Sequence, residues 1–314
     1  MKQKIFFLFI LFSTAILAQR KYAKEFNILN DNDLFISLKQ DRYYTNGIFI
    51  NYRYLSNKEY KKVVKKIYEI QIGHKMYTPF KATVNQYGNH DRPFAGYAFG
   101  SFSVHQFYKN ETSLKTTLKV GMVGPAVKSK ELQDFIHNLY GYKKAIGWKY
   151  QIANTMAINL DINYIKNITI HNYFDINWLN KIEIGTVNTN LSTGLYTRIG
   201  IYPLEKILNS IAFNSNLNNN NTKLKNKTEA FIYLNPMVSY IAYDATIKGN
   251  IFNNNSPVTF NVKPFKFTST IGLRFTVNRF NFGYAVNYHT KKLKSLRVPI
   301  QNLYGTLQVG YQFN

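Results

Sequence analysis

Apolar and polar residues alternate along most of the chain after residue 20. Residues 157–164 read AINLDINY, and residues 303–311 read LYGTLQVGY. A period of two is typical of β-strands with one apolar and one polar face. Polar residues interrupt every apolar run in this part of the chain, so the sequence predicts no membrane-spanning helix there. We therefore expect an all-β protein.

The N-terminus has the pattern of an export signal. Two lysines precede an apolar run over residues 5–17, and Ala18 supplies a small residue for cleavage. This pattern predicts a secretory signal peptide over residues 1–18 and a single mature domain over 19–314. The chain has no cysteine, which excludes disulfide scaffolds, thiol nucleophiles and cysteine-bound metals.

An exported chain of amphipathic strands folds either as a soluble β-sandwich or as an outer-membrane β-barrel. Strands of ten or more residues and an abundance of aromatics (25 Tyr and 24 Phe) favour a transmembrane antiparallel barrel, in which aromatic girdles mark the two interfaces. We predict twelve strands, and an even number places both termini in the periplasm. Their expected positions are 25–38, 45–56, 65–77, 94–109, 113–124, 147–163, 167–178, 187–201, 228–246, 265–278, 280–291 and 301–313.

Two connections differ from simple turns. Residues 129–140 carry apolar side chains at helical spacing, which predicts a short helix in an outer loop, with Ser129 as its cap and Gly141 as its end. Gln133 and His137 are four residues apart and share one face of that helix. The asparagine-rich residues 216–226 are expected to form a solvated, poorly ordered periplasmic loop.

Six sequence blocks in order resemble the family of outer-membrane lipid A 3′-O-deacylases, from about residue 26 to residue 151. The remaining half of the chain resembles that family only in its strand pattern. The helical residues Gln133 and His137 lie between the last two blocks. The blocks are Asp31–Phe35, Asp41–Gly47, Tyr77–Pro79, Asp91–Gly96, Gly121–Pro125 and Gly147–Gln151.

The resemblance implies a twelve-stranded barrel in the outer membrane of a Gram-negative bacterium, which hydrolyses the 3′-linked acyloxyacyl ester of lipid A with calcium. It implies that His137 is the general base and that Asn32, Asp33, Thr45 and Gln133 are its polar partners. Asn32, Asp33 and Thr45 are also the expected metal ligands, and Lys81 is the nearest candidate for an oxyanion donor. We expect a membrane-embedded monomer that binds lipopolysaccharide and no nucleic acid.

The net charge of +24 fits a substrate that carries phosphates. Seven cations lie on or beside the predicted outer loops: Arg42, Lys81, Arg92, Lys128, Lys130, Lys143 and Lys144.

One departure from the family pattern leaves other functions open. Lys143 stands where the family has a glutamate, six residues after the catalytic histidine. The alternatives are a barrel esterase that acts on glycerophospholipids, and a barrel without catalytic activity, either a pore or an inactive relative.

Overall fold

The computed structural model describes most of the chain. The described residues are 22–36, 43–58, 61–81, 83–142, 144–219, 224–226, 228–295 and 301–314. The predicted signal peptide lies outside them, and so do Asp41, Arg42 and Lys143.

Twelve antiparallel strands form a closed barrel in which each strand pairs with its neighbour in sequence and the first pairs with the last. The strands are β1 Lys24–Asn32, β2 Tyr43–Leu55, β3 Val63–Thr78, β4 Ala95–Tyr108, β5 Thr112–Val123, β6 Thr155–Ile170, β7 Phe174–Gly185, β8 Asn188–Gly200, β9 Ala230–Asp244, β10 Phe265–Val277, β11 Phe280–Thr290 and β12 Gln301–Phe313. Two helices, α1 Ser129–Tyr140 and α2 Ala245–Lys248, follow β5 and β9. The predicted fold class, strand number and outer-loop helix are confirmed.

The predicted positions of the sixth and seventh strands were wrong by about seven residues. β6 begins at Thr155 because residues 146–150 form a 3-10 helix that buries Trp148. The alternation then continues to the true turn at residues 171–173. Strand periodicity shows which residues share a face, but it does not mark where a strand ends.

The outer surface of the barrel is apolar. Side chains such as Ile70, Ile72, Leu118 and Val120 are exposed at alternate positions of their strands. Such a band suits contact with lipid, and closure of the sheet leaves no strand edge in the membrane. Among the described residues, no helix has the length and apolarity needed to cross a membrane.

The connection between β8 and β9 folds back into the barrel instead of extending into solvent. Its residues Ile211, Leu217 and Asn218 are almost completely buried. Asn216 bonds Gln312 of β12 through its carbonyl, and the Arg274 guanidinium of β10 donates to the Ile211 carbonyl. We call residues 201–219 the periplasmic plug.

The expectation of a solvated asparagine-rich loop was therefore wrong for residues 216–218. The asparagine amides find partners inside the polar lumen, so these residues need no solvent. The ammonium of Lys65 on β3 shows this most clearly: it bonds Asn218 Oδ1 at 2.7 Å, Asn209 Oδ1 at 2.9 Å and the Ser215 carbonyl at 3.0 Å.

Several buried charges beside the plug form salt bridges. Arg53 bridges Glu25 and Glu69, and Lys115 binds the second oxygen of Glu69 at 2.7 Å. On the opposite wall, Arg198 pairs with Asp175 and lies 3.4 Å from Glu229. Breaking such a pair leaves an uncompensated charge in the interior, so these networks fix the plug in place.

Candidate active site between the barrel wall and helix α1

The outer ends of β1 to β4 have two distinct faces. Asp31, Lys75 and Tyr77 line a cavity inside the barrel. Because successive side chains of a strand point to opposite faces, Asn32, Met76 and Thr78 lie on the outward side of the wall. Asn32 pairs with Asn46, Asn46 with Met76, and Met76 with Gly96, so these four positions form one outward row.

A β-bulge interrupts this row at Thr45. Tyr44 pairs with Tyr77 and Asn46 with Met76, which leaves Thr45 as the extra residue. Bulges redirect a side chain, and they are common beside active sites. The buried Thr45 hydroxyl lies 2.7 Å from the Thr78 hydroxyl.

Asn32 and Asp33 occupy the point where β1 ends. Asn32 caps a short 3-10 helix over Asp33–Phe35, and its side-chain oxygen accepts the Leu34 N–H at 2.9 Å. Asp33 is only 2% exposed. The strand pairing therefore brings Asn32 and Asp33 beside the bulge that carries Thr45.

Helix α1 is fixed to the outside of this wall at its N-terminus. The Ser129 hydroxyl lies 2.8 Å from His74 Nε2 on β3. A Cβ added at Gly96 would lie 2.0 Å from Ser129 Oγ, so the close approach of the helix to β4 requires glycine there. The prediction that Ser129 caps the helix was wrong, because this hydroxyl bonds the wall and the N-cap is Lys128. Gly141 ends the helix with a φ of 72°, as predicted.

Gln133 and His137 lie on the buried face of α1, with exposures of 2% and 6%. Gln133 Oε1 accepts a hydrogen bond from the Trp148 indole at 2.6 Å. Trp148 packs in an apolar cluster with Met76 and Phe94. Since Met76 faces Asn46 across the sheet, the helix residues and the β1–β2 residues are anchored to the same part of the wall.

The opposite face of α1 is apolar and exposed. Phe135 and Leu139, one turn apart, are 67% and 69% exposed. Tyr142 follows them and is also exposed, while its ring contacts the His137 ring edge-on at a centroid distance of 5.7 Å. An exposed apolar stripe beside the lipid-facing surface of the barrel suits insertion among acyl chains.

The loop between β3 and β4 places Lys81 apart from the buried groups. Lys81 is exposed and borders an open cleft with Phe80, Asn85 and Asp91. Asp91 accepts hydrogen bonds from the Phe80 N–H and the Tyr43 hydroxyl, both at 3.0 Å.

Arg92, which was expected among the cations of the outer loops, is not part of a cationic surface. It is 4% exposed, donates to the Thr246 carbonyl at 3.2 Å, and stacks over the Tyr77 ring at 4.6 Å. Burial lowers the pKa of Arg92, while Asp244 opposes that shift. It is therefore a structural residue and not a surface contact for phosphates. Lys128, Lys130 and Lys144 are exposed, as expected.

The oxygen atoms at this site suit a hard cation. Among the described residues, no group of three or more His, Cys, Asp or Glu could hold a metal ion. Calcium also accepts amide and hydroxyl oxygens. Asn46 Oδ1 is buried without a hydrogen-bond partner among the described residues, and it neighbours Thr45 and pairs in register with Asn32. The side-chain oxygens of Asn32, Asp33, Thr45 and Asn46 are of the type that calcium binds.

Several residues that build the site were not singled out from the sequence. His74 and Ser129 tie the helix to the wall, Thr78 bonds Thr45, and Trp148 orients Gln133. Thr78 and Trp148 fall inside blocks that carried the family resemblance, and Ser129 was predicted only as the helix cap. His74 lies three residues before the third block and had only strand periodicity to indicate it.

Comparison with known proteins decides the family. A profile of the family described as outer membrane protein LpxR matches residues 5–313. The chain belongs to the LpxR family. The structure of LpxR from Salmonella typhimurium superposes with a TM-score of 0.71 at 15% sequence identity, covering 92% of this chain and all of that one.

Other barrels of known structure superpose less well on this chain. The β domain of the Bordetella autotransporter BrkA has a TM-score of 0.46 at 8% identity, covering 93% of this chain and 98% of that one. No curated protein sequence matches the chain. Membership of the LpxR family and the closed barrel establish an outer-membrane protein, as the sequence predicted.

Proposed function

We propose that this LpxR-family barrel is a lipid A 3′-O-deacylase that hydrolyses its substrate on the outward side of the barrel wall. One observation carries the proposal. Asn32 faces the outward side of the wall at the end of β1, the Thr45 hydroxyl meets the outward-facing Thr78, and α1 packs on the outside of the same wall with Gln133 and His137 on its buried face. A site in that position is reached from the outer leaflet, where lipid A resides.

His137 acts as the general base in this proposal. It accepts a proton from a water molecule, and the water oxygen forms a bond to the ester carbonyl carbon. The bond from that carbon to the sugar 3′ oxygen then breaks, and His137 returns the proton to the sugar oxygen. Gln133 holds the helix against Trp148, which keeps the imidazole at a fixed distance from the wall.

The oxyanion that forms during the reaction needs positive charge or hydrogen-bond donors. Lys81, which is exposed beside the cleft in the loop between β3 and β4, is the proposed donor. Calcium, when bound by Asp33, Asn32, Thr45 and Asn46, supplies the remaining positive charge. With a single carboxylate in this set, we expect weak binding, in the range where chelation removes the ion readily.

The surroundings of the site suit an anionic amphiphile. Phe135 and Leu139 extend the apolar surface beside acyl chains, while Lys128, Lys130 and Lys144 supply cations near the headgroup. A glycerophospholipid shares the ester and the acyl chains, but it carries fewer phosphates than lipid A. The several exposed cations therefore favour lipid A over the phospholipase alternative.

The plug disfavours the pore alternative. Residues 201–219 bond β3, β8, β10 and β12 across the lumen, so the periplasmic end holds packed side chains and not an open channel.

Mass spectrometry of lipid A from cells that express the chain tests the proposal. We expect loss of the 3′-acyloxyacyl mass with the wild-type chain and none with His137→Ala. His171→Ala is the matched control, because His171 is an exposed histidine at a periplasmic turn. Heat-dependent gel migration shows that each variant is folded.

Equal deacylation by wild type and His137→Ala would remove the histidine from the mechanism. Unchanged lipid A with a folded wild-type barrel would reject the substrate, and phospholipid analysis of the same extracts would then test the second esterase hypothesis.

Chelation tests the metal separately. We expect deacylation by the purified enzyme in micelles to fall at least about tenfold with a calcium chelator and to recover when calcium, but not magnesium, is restored, because Mg²⁺ demands a stricter octahedral geometry. Full activity in the chelator would exclude calcium while leaving the histidine mechanism intact.

A further inference from the structure

A second polar site lies on the other face of the same wall. A cavity of about 260 Å³ occupies the outer half of the lumen, lined mainly by the contiguous strands β10, β11, β12, β1, β2 and β3. It is separated from the α1 site by the strands, because Asp31 and Tyr77 face the cavity while Asn32 and Thr78 face outward.

Cations dominate the lining of this cavity. Lys75, Arg92, Lys266 and Lys292 border it, whereas Asp31 is the one carboxylate among its lining residues. Both Asp31 oxygens are already occupied, by the Thr306 hydroxyl at 2.6 Å and the Tyr44 hydroxyl at 2.7 Å.

Three of these cations have contacts of their own. Arg92 bonds the Thr246 carbonyl and stacks on Tyr77. Lys292 lies 3.6 Å from Asp244, and Lys75 lies over the Phe49 ring within the electrostatic reach of Asp31. These contacts satisfy Arg92 and Lys292 within the protein, whereas Lys75 forms no salt bridge or hydrogen bond among the described residues and is available to a ligand.

Lys266 is the second cation of the cavity that is available to a ligand. Within the described part of the chain it forms no salt bridge or hydrogen bond, and its side chain lines the cavity. The charged groups around it are the cations Lys292 and Lys181 and the carboxylates of Glu183 and Asp244. An isolated cation in such an environment is costly unless an anion compensates it.

The neighbouring groups indicate which anion fits. Tyr77, Tyr304 and Thr268, each of which carries a hydroxyl, also line the cavity, so residues with donor groups lie on three different strands. His289 is not an acceptor there, because Nδ1 bonds the Thr290 carbonyl at 3.0 Å and Nε2 lies 3.2 Å from the Asn302 amide. Donors from several directions match a tetrahedral oxyanion, and the cavity has room for one together with water.

We propose that the outer lumen holds a binding site for a phosphate-class oxyanion, with Lys266 and Lys75 as its charged ligands. The anion is either free phosphate or a phosphate of a lipid A headgroup that enters from the outer mouth. The site is independent of the proposed deacylase reaction, and its test does not use that reaction.

Thermal unfolding of the purified barrel in detergent tests the site. Inorganic phosphate, compared with chloride at equal ionic strength, should raise the Tm of wild type by an amount that grows with phosphate concentration. Lys206→Gln, which removes an exposed periplasmic lysine, should respond like wild type, whereas Lys266→Gln should lose most of the response. Lys266→Arg, which keeps the charge, should retain it.

A second measurement covers a failure of Lys266→Gln to fold. The ³¹P resonance of phosphate should broaden saturably with wild-type barrel, and Lys75→Gln should weaken that binding by about tenfold. In phosphate-free buffer, folded Lys266→Gln should unfold at the wild-type temperature or above, because the substitution removes an unpaired cation.

Lipid A in mixed micelles distinguishes the two sources. Stabilisation by inorganic phosphate identifies the free ion, and stabilisation only by phosphorylated lipid A, dependent on Lys266, identifies the headgroup. The proposal is overturned if neither stabilises wild type, or if Lys266→Gln responds as strongly as wild type.

Discussion

The two ends of the barrel bury polar groups in different ways. At the periplasmic end, several buried charges face the lumen and form salt bridges, as in the Glu25–Arg53–Glu69 chain and the Asp175–Arg198 pair. At the outer end, the buried amide and hydroxyl groups of Asn46, Thr45 and Thr78 lie at the outward side of the wall, while the lumen holds a cavity lined mainly by cations.

The two ends therefore differ in what their buried polar groups can do: those at the periplasmic end stabilise the fold, and those at the outer end are candidates for function. Paired charges in the lumen hold a plug and have no surface from which a substrate approaches. The polar groups at the outer end lie beside α1, whose other face is exposed and apolar. A lipid can therefore approach these polar groups. Burial of polar side chains alone therefore does not identify a functional site. The face of the strand on which they lie determines whether a substrate can approach them.

The largest expected effect is a loss of stability from a substitution at the periplasmic end. Arg198→Met should lower the free energy of unfolding by about 3–5 kcal/mol, because it leaves the Asp175 and Glu229 carboxylates buried without their cation. Urea unfolding in detergent measures this loss. Deacylation per folded molecule should stay near the wild-type value, and a parallel loss of activity would show that the two ends are coupled.

Gly96→Ala is expected to break the outer end alone. The added methyl collides with Ser129 and pushes α1 off the wall, and a displacement of about 1 Å can cost about a hundredfold in rate. Kinetics on lipid A micelles measure the loss. Gly100→Ala is the control, because nothing lies within 4 Å of a Cβ built at Gly100. Equal rates for the two variants would contradict the placement of the helix.

A matched pair of substitutions sharpens the comparison within the site. Thr45→Val and Thr78→Val each remove the same hydroxyl contact, and each should cost about 1 kcal/mol of stability. Only Thr45→Val should also lower the rate, by about tenfold, since Thr45 is the proposed ligand. Initial rates and unfolding curves for both variants distinguish a ligand from a structural hydroxyl.

The smallest expected effect concerns the exposed face of α1. Phe135→Gln together with Leu139→Gln should raise KM for micellar lipid A about threefold and leave kcat unchanged, because these side chains meet the lipid and not the reacting ester. A change in kcat without a change in KM would place this face in the reaction itself.

The sequence determined the barrel and predicted the main residues of the candidate site. Alternation with period two fixes which side chains share a face, and it yielded all twelve strands. Helical spacing located α1, and the family resemblance selected His137, Gln133, Asn32, Asp33 and Thr45. Those inferences depend on local pattern, which a linear sequence contains in full.

Tertiary structure decided the placement. The bulge at Thr45, the Ser129–His74 contact and the return of residues 216–218 into the lumen each join segments far apart in sequence. Arg92 and Ser129 illustrate the effect of these distant contacts. From the sequence, Arg92 was expected at the surface and Ser129 at a helix cap, but each is bound to a partner far away in the chain. A polar side chain that is exposed can bond water, but once it is buried it needs a hydrogen-bond partner within the protein. Which partner is available depends on how the closed barrel brings distant segments together.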